Sequence, residues 1–240
     1  MLNLNQVYNG DCLELMRDID DQSIDMILCD LPYGKTACKW DTVIPFEPLW
    51  KEYKRIIKPN GAIVLTACQP FTSQLIMSNP KMFRYEWIWE KNNSTGFLDA
   101  NRKPLRIHEN ICVFYKKLPI YNPQGLIYKN VKKKTNRKRL TDVYRGFKLE
   151  YISKGYNYPK TVLKFKSERG LHPTQKPVAL FEYLIKTYTN EGDLVLDNCA
   201  GAGTTAIAAI NSNRNYILIE KDNNYYNLCK KRINEHGEKN

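Results

Sequence analysis

The chain has 240 residues and a formal net charge of +12, enough length for one large α/β domain with an insertion and a charge that favours polyanionic partners. Its seven cysteines include no CxxC pair and its three histidines give no zinc-ligand spacing, which excludes a disulfide scaffold and leaves no metal site; we read a reduced, cytoplasmic protein. The start, residues 1–10, is polar and lacks a long apolar core, so neither secretion nor membrane insertion is expected.

Strand-like and helical segments alternate. Residues 6–9 are short and extended, and Gly10 and Asp11 open a helix carrying Leu13, Leu15 and Met16. Residues 24–29 form an apolar run closed by Asp30, Leu31, Pro32, Tyr33 and Gly34, the pattern of a buried strand ending in an exposed turn. Apolar residues between Phe46 and Ile57 fall at helical spacing until Pro59, Asn60 and Gly61 stop them, and a near-continuous apolar strand follows at 62–67. Pro70 starts a helix through Leu75 and Ile76. Residues 85–89 and 111–115 are aromatic and β-branched strands joined by a polar stretch, 91–109, read as a long functional loop.

From about 118 to 171 the periodicity fades. Lys129, Lys132, Lys133, Lys134, Arg137, Lys138 and Arg139 stand there among six tyrosines, a mixture that suits phosphate contact and base stacking; the alternative is a solvated charged face. After Pro173 the rhythm returns with a helix at 178–187, a strand at 193–196, an alanine-rich helix at 204–212, a strand at 216–219 and a last helix at 223–233. Counting the first, this gives seven strands.

Two strand ends carry chemistry. Pro32 has no N–H and biases Leu31 toward an extended conformation, so the Asp30 carboxylate and the Leu31 carbonyl become two neighbouring acceptors for an exocyclic amine, and Tyr33 offers a flat face to a base taken out of its stack. An ordinary turn with a capping Asp and a half-buried Tyr is the alternative. Further on, the strand ending at Asp197 enters a turn in which Gly201 and Gly203 let a ligand approach the backbone, and Glu220, 23 residues after Asp197, stands where dinucleotide folds place a ribose-binding acid. The turn has no P-loop Lys. A surface acid before a helix capped by Asp222 is the competing view of Glu220.

The DLPYG stretch at 30–34, the HPTQKP stretch at 172–177 and the DNCAGAGTT stretch at 197–205 together resemble the catalytic, cofactor-tail and cofactor-loop motifs of amino-group DNA methyltransferases that use S-adenosyl-L-methionine, in the order of the permuted β group. The resemblance spans nearly the whole chain. It implies a Rossmann-like methyltransferase fold with a mixed, mostly parallel seven-stranded sheet, a catalytic and cofactor-binding domain at 1–117 and 172–240, and an inserted target recognition region at 118–171. Catalysis would fall to Asp30, Leu31, Pro32 and Tyr33. The cofactor would lie against Asp11, Cys12, Asp30, His172, Thr174, Lys176, Asp197, Asn198, Cys199, Gly201, Gly203, Thr204 and Glu220, and the seven basic residues of the insertion would contact DNA. The chain departs from many relatives in having Leu31 for Pro, and Asn198 and Cys199 for Pro and Phe.

An acid at position 30, where relatives acting on cytosine often carry Ser, points to adenine-N6 transfer in double-stranded DNA. Rivals are cytosine-N4 transfer, an RNA adenine methyltransferase, a catalytically inactive nucleic-acid-binding subunit and, sharing only the glycine loop and the acid, a nicotinamide dehydrogenase. The resemblance also admits a homodimer and a cognate restriction nuclease as partners.

Overall fold

The computed structural model describes residues 2–34, 41–134, 150–168 and 175–238, with backbone alone at 130–134 and 150–154. In chain order the elements are β1 (Gln6–Asn9), α1 (Cys12–Leu15), β2 (Ile24–Asp30), α2 (Phe46–Ile56), β3 (Ile57–Ala67), α3 (Phe71–Ser78), β4 (Phe83–Thr95), β5 (Arg106–Phe114), β6 (Ile127–Lys134), β7 (Glu150–Tyr156), β8 (Val162–Lys164), α4 (Val178–Tyr188), β9 (Leu194–Asp197), α5 (Thr204–Asn211), β10 (Asn215–Glu220) and α6 (Asn223–Gly237). Two compact units result, Met1–Asn122 with Thr161–Asn240, and Pro123–Lys160. The smaller contains β6 and β7, paired antiparallel.

The larger unit is built on one sheet with the order β1-β10-β9-β2-β3-β5-β4-β8. β1, β10, β9, β2 and β3 run parallel, β5 is reversed, and β4 and β8 return to the first direction. All seven expected strands form, and an eighth joins them. β8 lies inside the aperiodic stretch and pairs with β4; at three residues, with only Leu163 buried, it is too short to display a period. The polar stretch 91–109 is likewise more ordered than a loop, because β4 and β5 run on as a hairpin to Thr95 and Arg106. Beyond the covered part of a sheet, strands need no apolar face and give no alternation.

Between Met26 and Cys29 β2 is continuously apolar because it is covered on both faces. Ile27 and Cys29 pack with α1, α2 and α3, while Met26 and Leu28 pack with α4 and α5. Its neighbour β9 connects through α5 to β10 on one side, and β2 connects through α2 to β3 on the other. Chain direction therefore diverges between β9 and β2, and a crevice opens at their C-terminal ends.

Gly203 makes the turn from β9 into α5 possible. Its φ is +77°, and an added Cβ would stand 2.5 Å from Cys229 Sγ on α6. Gly203→Ala should therefore lower stability by about 2 kcal/mol or more through backbone strain and overpacking. Urea denaturation checks this, and adding Cys229→Ala should restore the steric part only.

Candidate active site

Ile27 pairs with Leu196 across the β2–β9 junction, so Asp197 ends its strand level with Leu28 and Asp30 lies two residues further along, roughly 7 Å. Asp11, Cys12, Asp30, Leu31, Pro32, Tyr33, Lys176, Asp197, Asn198, Cys199, Gly201, Thr204 and Glu220 all line one cavity of about 660 Å³. A pocket of this size accommodates a nucleoside-sized ligand. Among the other expected residues, Gly203 packs on Cys229 instead of lining the cavity. His172, Thr174, Arg137, Lys138 and Arg139 lie outside the described residues; Lys129 is exposed, and Lys132, Lys133 and Lys134 are described in backbone only, on β6.

The glycine loop is held from two sides by carboxylates. Asp197, buried, accepts the Cys199 N–H at 3.0 Å through Oδ1 and the Thr205 hydroxyl through Oδ2, and burial pushes its carboxyl up to about 6. Glu220 accepts the Gly201 N–H at 2.7 Å through Oε2 and the Asp222 N–H at 2.8 Å through Oε1; burial raises its carboxyl too. Asp11 caps α1 through Leu13 N–H at 2.9 Å and pairs with Lys221 at 3.0 Å. Asn198 is fixed by the buried Tyr53 hydroxyl at 2.6 Å. Cys12 and Cys199 both stand on the cavity wall, and the neighbouring Cys199 thiol holds Cys12 below the ordinary thiol value.

Asp30 is gripped more firmly than its sequence context suggested. Its Oδ1 accepts the Tyr33 hydroxyl at 2.6 Å and the Thr66 hydroxyl, and its Oδ2 accepts Lys176 Nζ at 2.6 Å. Lys176 is 5% exposed and also stands 3.2 Å from Glu109 Oε2, an ion-pair contact to a buried oxygen that accepts no hydrogen bond from the described residues. Lys91 pairs with Glu109 Oε1, which completes a row of alternating charges: Asp30, Lys176, Glu109, Lys91. Burial alone would lower the Lys176 ammonium, but Asp30 and Glu109 outweigh it and raise it; for Glu109, burial is likewise overcome by Lys176 and Lys91, and its carboxyl is lowered.

Tyr33 is oriented by the same cluster. Its ring centroid lies 5.1 Å from that of Phe71, and Lys176 Nζ stands 5.7 Å from it. Burial and the nearby Asp30 keep its hydroxyl protonated, as a donor. Lys176, expected from the resemblance to border the cofactor, thus reaches the Asp30 carboxylate.

Thr66 and Glu109 were not singled out from the sequence. Thr66 had a readable signal as the one polar residue of the apolar stretch 62–67, and the fold buries it and pairs it in register with Asp30. Glu109 had none, because only the β4–β5 hairpin carries it to the cavity.

A doubly wound sheet with acidic strand ends around a nucleoside-sized cavity defines a Rossmann-like, nucleotide-cofactor protein. The chain belongs to the DNA methylase family of N6 and N4 methyltransferases, whose family model matches residues 24–231. It is 30% identical over 251 residues to the DNA adenine methyltransferase YhdJ of Escherichia coli, covering 95% of this chain and 82% of that protein. To the type II methyltransferase M.HinfI of Haemophilus influenzae it is 30% identical, covering 97% and 69%. The crystal structure of the M1.HpyAVI–SAM complex matches with a TM-score of 0.65 at 27% identity, over 95% of this chain and 98% of that one. The PvuII cytosine-N4-specific methyltransferase, at 15% identity and a TM-score of 0.69, shares the fold.

Proposed function

We propose that this DNA methylase transfers a methyl group from S-adenosyl-L-methionine to the exocyclic amine of an adenine flipped out of double-stranded DNA. One observation carries the reading: the Asp30 carboxylate and the loop tied by Asp197 and Glu220 face the same cavity. The cavity lining supports this donor set: Glu220 and Asp11 would take the cofactor's nucleoside end, and Asn198, Cys199, Gly201 and Thr204 would line the rest. When bound, S-adenosyl-L-methionine supplies a methyl group on an electrophilic sulfonium.

Asp30 and the Leu31 carbonyl accept the two N–H bonds of the amine, which turns its lone pair out of the ring plane and toward the methyl group. With Oδ1 accepting two hydroxyls and Oδ2 one ammonium, the carboxylate keeps one acceptor direction on Oδ2 for the substrate. A carboxylate is too weak a base to deprotonate a neutral amine, but it takes the proton once the nitrogen is cationic. Tyr33 stacks on the base.

Residues 118–171 act as the target recognition region, with the basic residues from Lys129 to Arg139 on phosphates. Kinship with the type II methyltransferase M.HinfI supports a cognate nuclease, and a homodimer is admitted by the same kinship. No helix among the described residues is long and apolar enough to cross a membrane.

The test is transfer of tritium from labelled cofactor into DNA, followed by mass spectrometry of the nucleosides. N6-methyladenine is expected; N4-methylcytosine, or label in RNA alone, overturns the base assignment. In the same assay Glu220→Ala should weaken cofactor binding about 10- to 100-fold in calorimetry, because a charged acceptor and the Gly201 tether are lost together. Unchanged affinity would remove Glu220 from the cofactor site.

A further inference from the structure

The β4–β5 hairpin presents a feature that neither the fold nor the transfer chemistry requires. At its turn Phe97 is 68% exposed and Leu98 fully so, and no other adjacent pair of large apolar side chains in the larger unit is this exposed among the described residues. Leaving two such side chains in water forgoes about 2 kcal/mol each of burial, and a monomer with no use for them would place polar residues there. The turn is not loose. Gly96, at φ +95°, starts a short helical turn over Phe97–Asp99, and N–H groups of Asp99, Ala100, Arg102 and Lys103 are bonded back to Gly96, Phe97 and Asp99.

The base of the hairpin belongs to the active-site cavity. Lys91, Thr95, Arg106 and Glu109 line it together with Asp30 and Tyr33. Phe97 follows Thr95 by two residues, so the apolar pair lies within roughly 7 Å along the chain of the cavity rim, about two base-pair steps. Arg102, Lys103 and Arg106 flank it against a single acid, Asp99, which Lys103 already pairs at 2.7 Å.

We infer that Phe97 and Leu98 form a wedge that enters the DNA stack beside the target base, filling the gap its extrusion leaves, while Arg102 and Arg106 contact the flanking phosphates. This deepens the proposed function and rests on it. Apolar wedges inserted at base steps are an established way to offset unstacking, and they are placed by cations on the backbone. Charge argues for DNA over a second copy of the chain. A two-fold interface would set this basic turn against its own like.

The test uses the full-length enzyme and a duplex carrying the sequence found to be methylated, with 2-aminopurine at the target position to report unstacking. For Phe97→Ala/Leu98→Ala we expect cofactor affinity unchanged and duplex affinity within about threefold, but a loss of the fluorescence rise and a methylation rate at least about tenfold lower on the natural duplex. Placing the target adenine in a mismatch, from which it leaves the stack readily, should restore the variant's rate; a merely structural role would not respond to the mismatch. The inference is overturned if the double variant flips and methylates like the wild type. It is equally overturned if its defect tracks dissociation of a dimer in light scattering. Absence of methyl transfer by the wild-type enzyme would instead overturn the functional reading, and the wedge with it.

Discussion

Asp30→Ala is expected to lower the rate of methyl transfer by about 10³-fold or more while cofactor affinity falls less than about tenfold. In the proposed reaction the carboxylate both orients the amine and takes its proton, so its loss removes two contributions to one step. The fold should tolerate the change, because Lys176 keeps Glu109 at 3.2 Å and is not left as an unpaired buried cation. Asp30→Asn retains an acceptor oxygen and should fall between the wild type and the Ala variant. Tritium transfer under single-turnover conditions with calorimetry beside it separates chemistry from binding, and full activity in the Ala variant would end the mechanism.

Lys176→Met is expected to be the more damaging change to stability, and in a pH-dependent way. Removing the ammonium leaves Asp30 and Glu109 with Lys91 as the one remaining cation in the row, and breaking a buried ion pair from one side costs about 3–5 kcal/mol. In the wild type Lys176 is raised, so its contribution is complete below the unfolded lysine value and is lost only as the pH climbs through its higher folded value. Glu109 is lowered, so its contribution is complete above the ordinary glutamate value and is lost as the pH drops further, through its folded value. Between pH 5 and 8 these two groups therefore leave wild-type stability flat.

In the variant the sign reverses. Two carboxylates short of one cation bind protons more readily folded than unfolded, so stability should recover as the pH falls from 8 to 5. Urea denaturation at the two pH values measures the difference. Glu109→Gln in the Lys176→Met background should recover most of the loss at pH 8, since it removes the surplus charge. A deficit of equal size at both pH values would mean that lost packing, and not charge, sets the cost.

In the proposed reaction the same geometry gives Lys176 a part. As Asp30 takes the proton it loses its charge, and the ammonium retains a second carboxylate within reach in Glu109. The row then carries one positive charge in excess, with Lys176 and Lys91 both paired to Glu109.

The sequence by itself determined the parallel core and the two acidic strand ends. A strand covered on both faces must be apolar where it is covered, as β2 is from Met26 to Cys29, and a turn that enters a helix at positive φ favours glycine, as at Gly203; both constraints act on neighbours in the chain and are legible there. The pairing of Asp30 with Lys176, 146 positions away, was decided only by the tertiary structure. So was the arrival of Glu109 at the cavity, since a polar hairpin lying beyond the covered sheet carries no period to announce it. β8 was hidden for a third reason: three residues pairing with a distant strand are too few to alternate, and their place comes from β4. Local rules act through residues a few positions apart, whereas the charges that hold the Asp30 carboxylate meet only after the sheet has set its strand order.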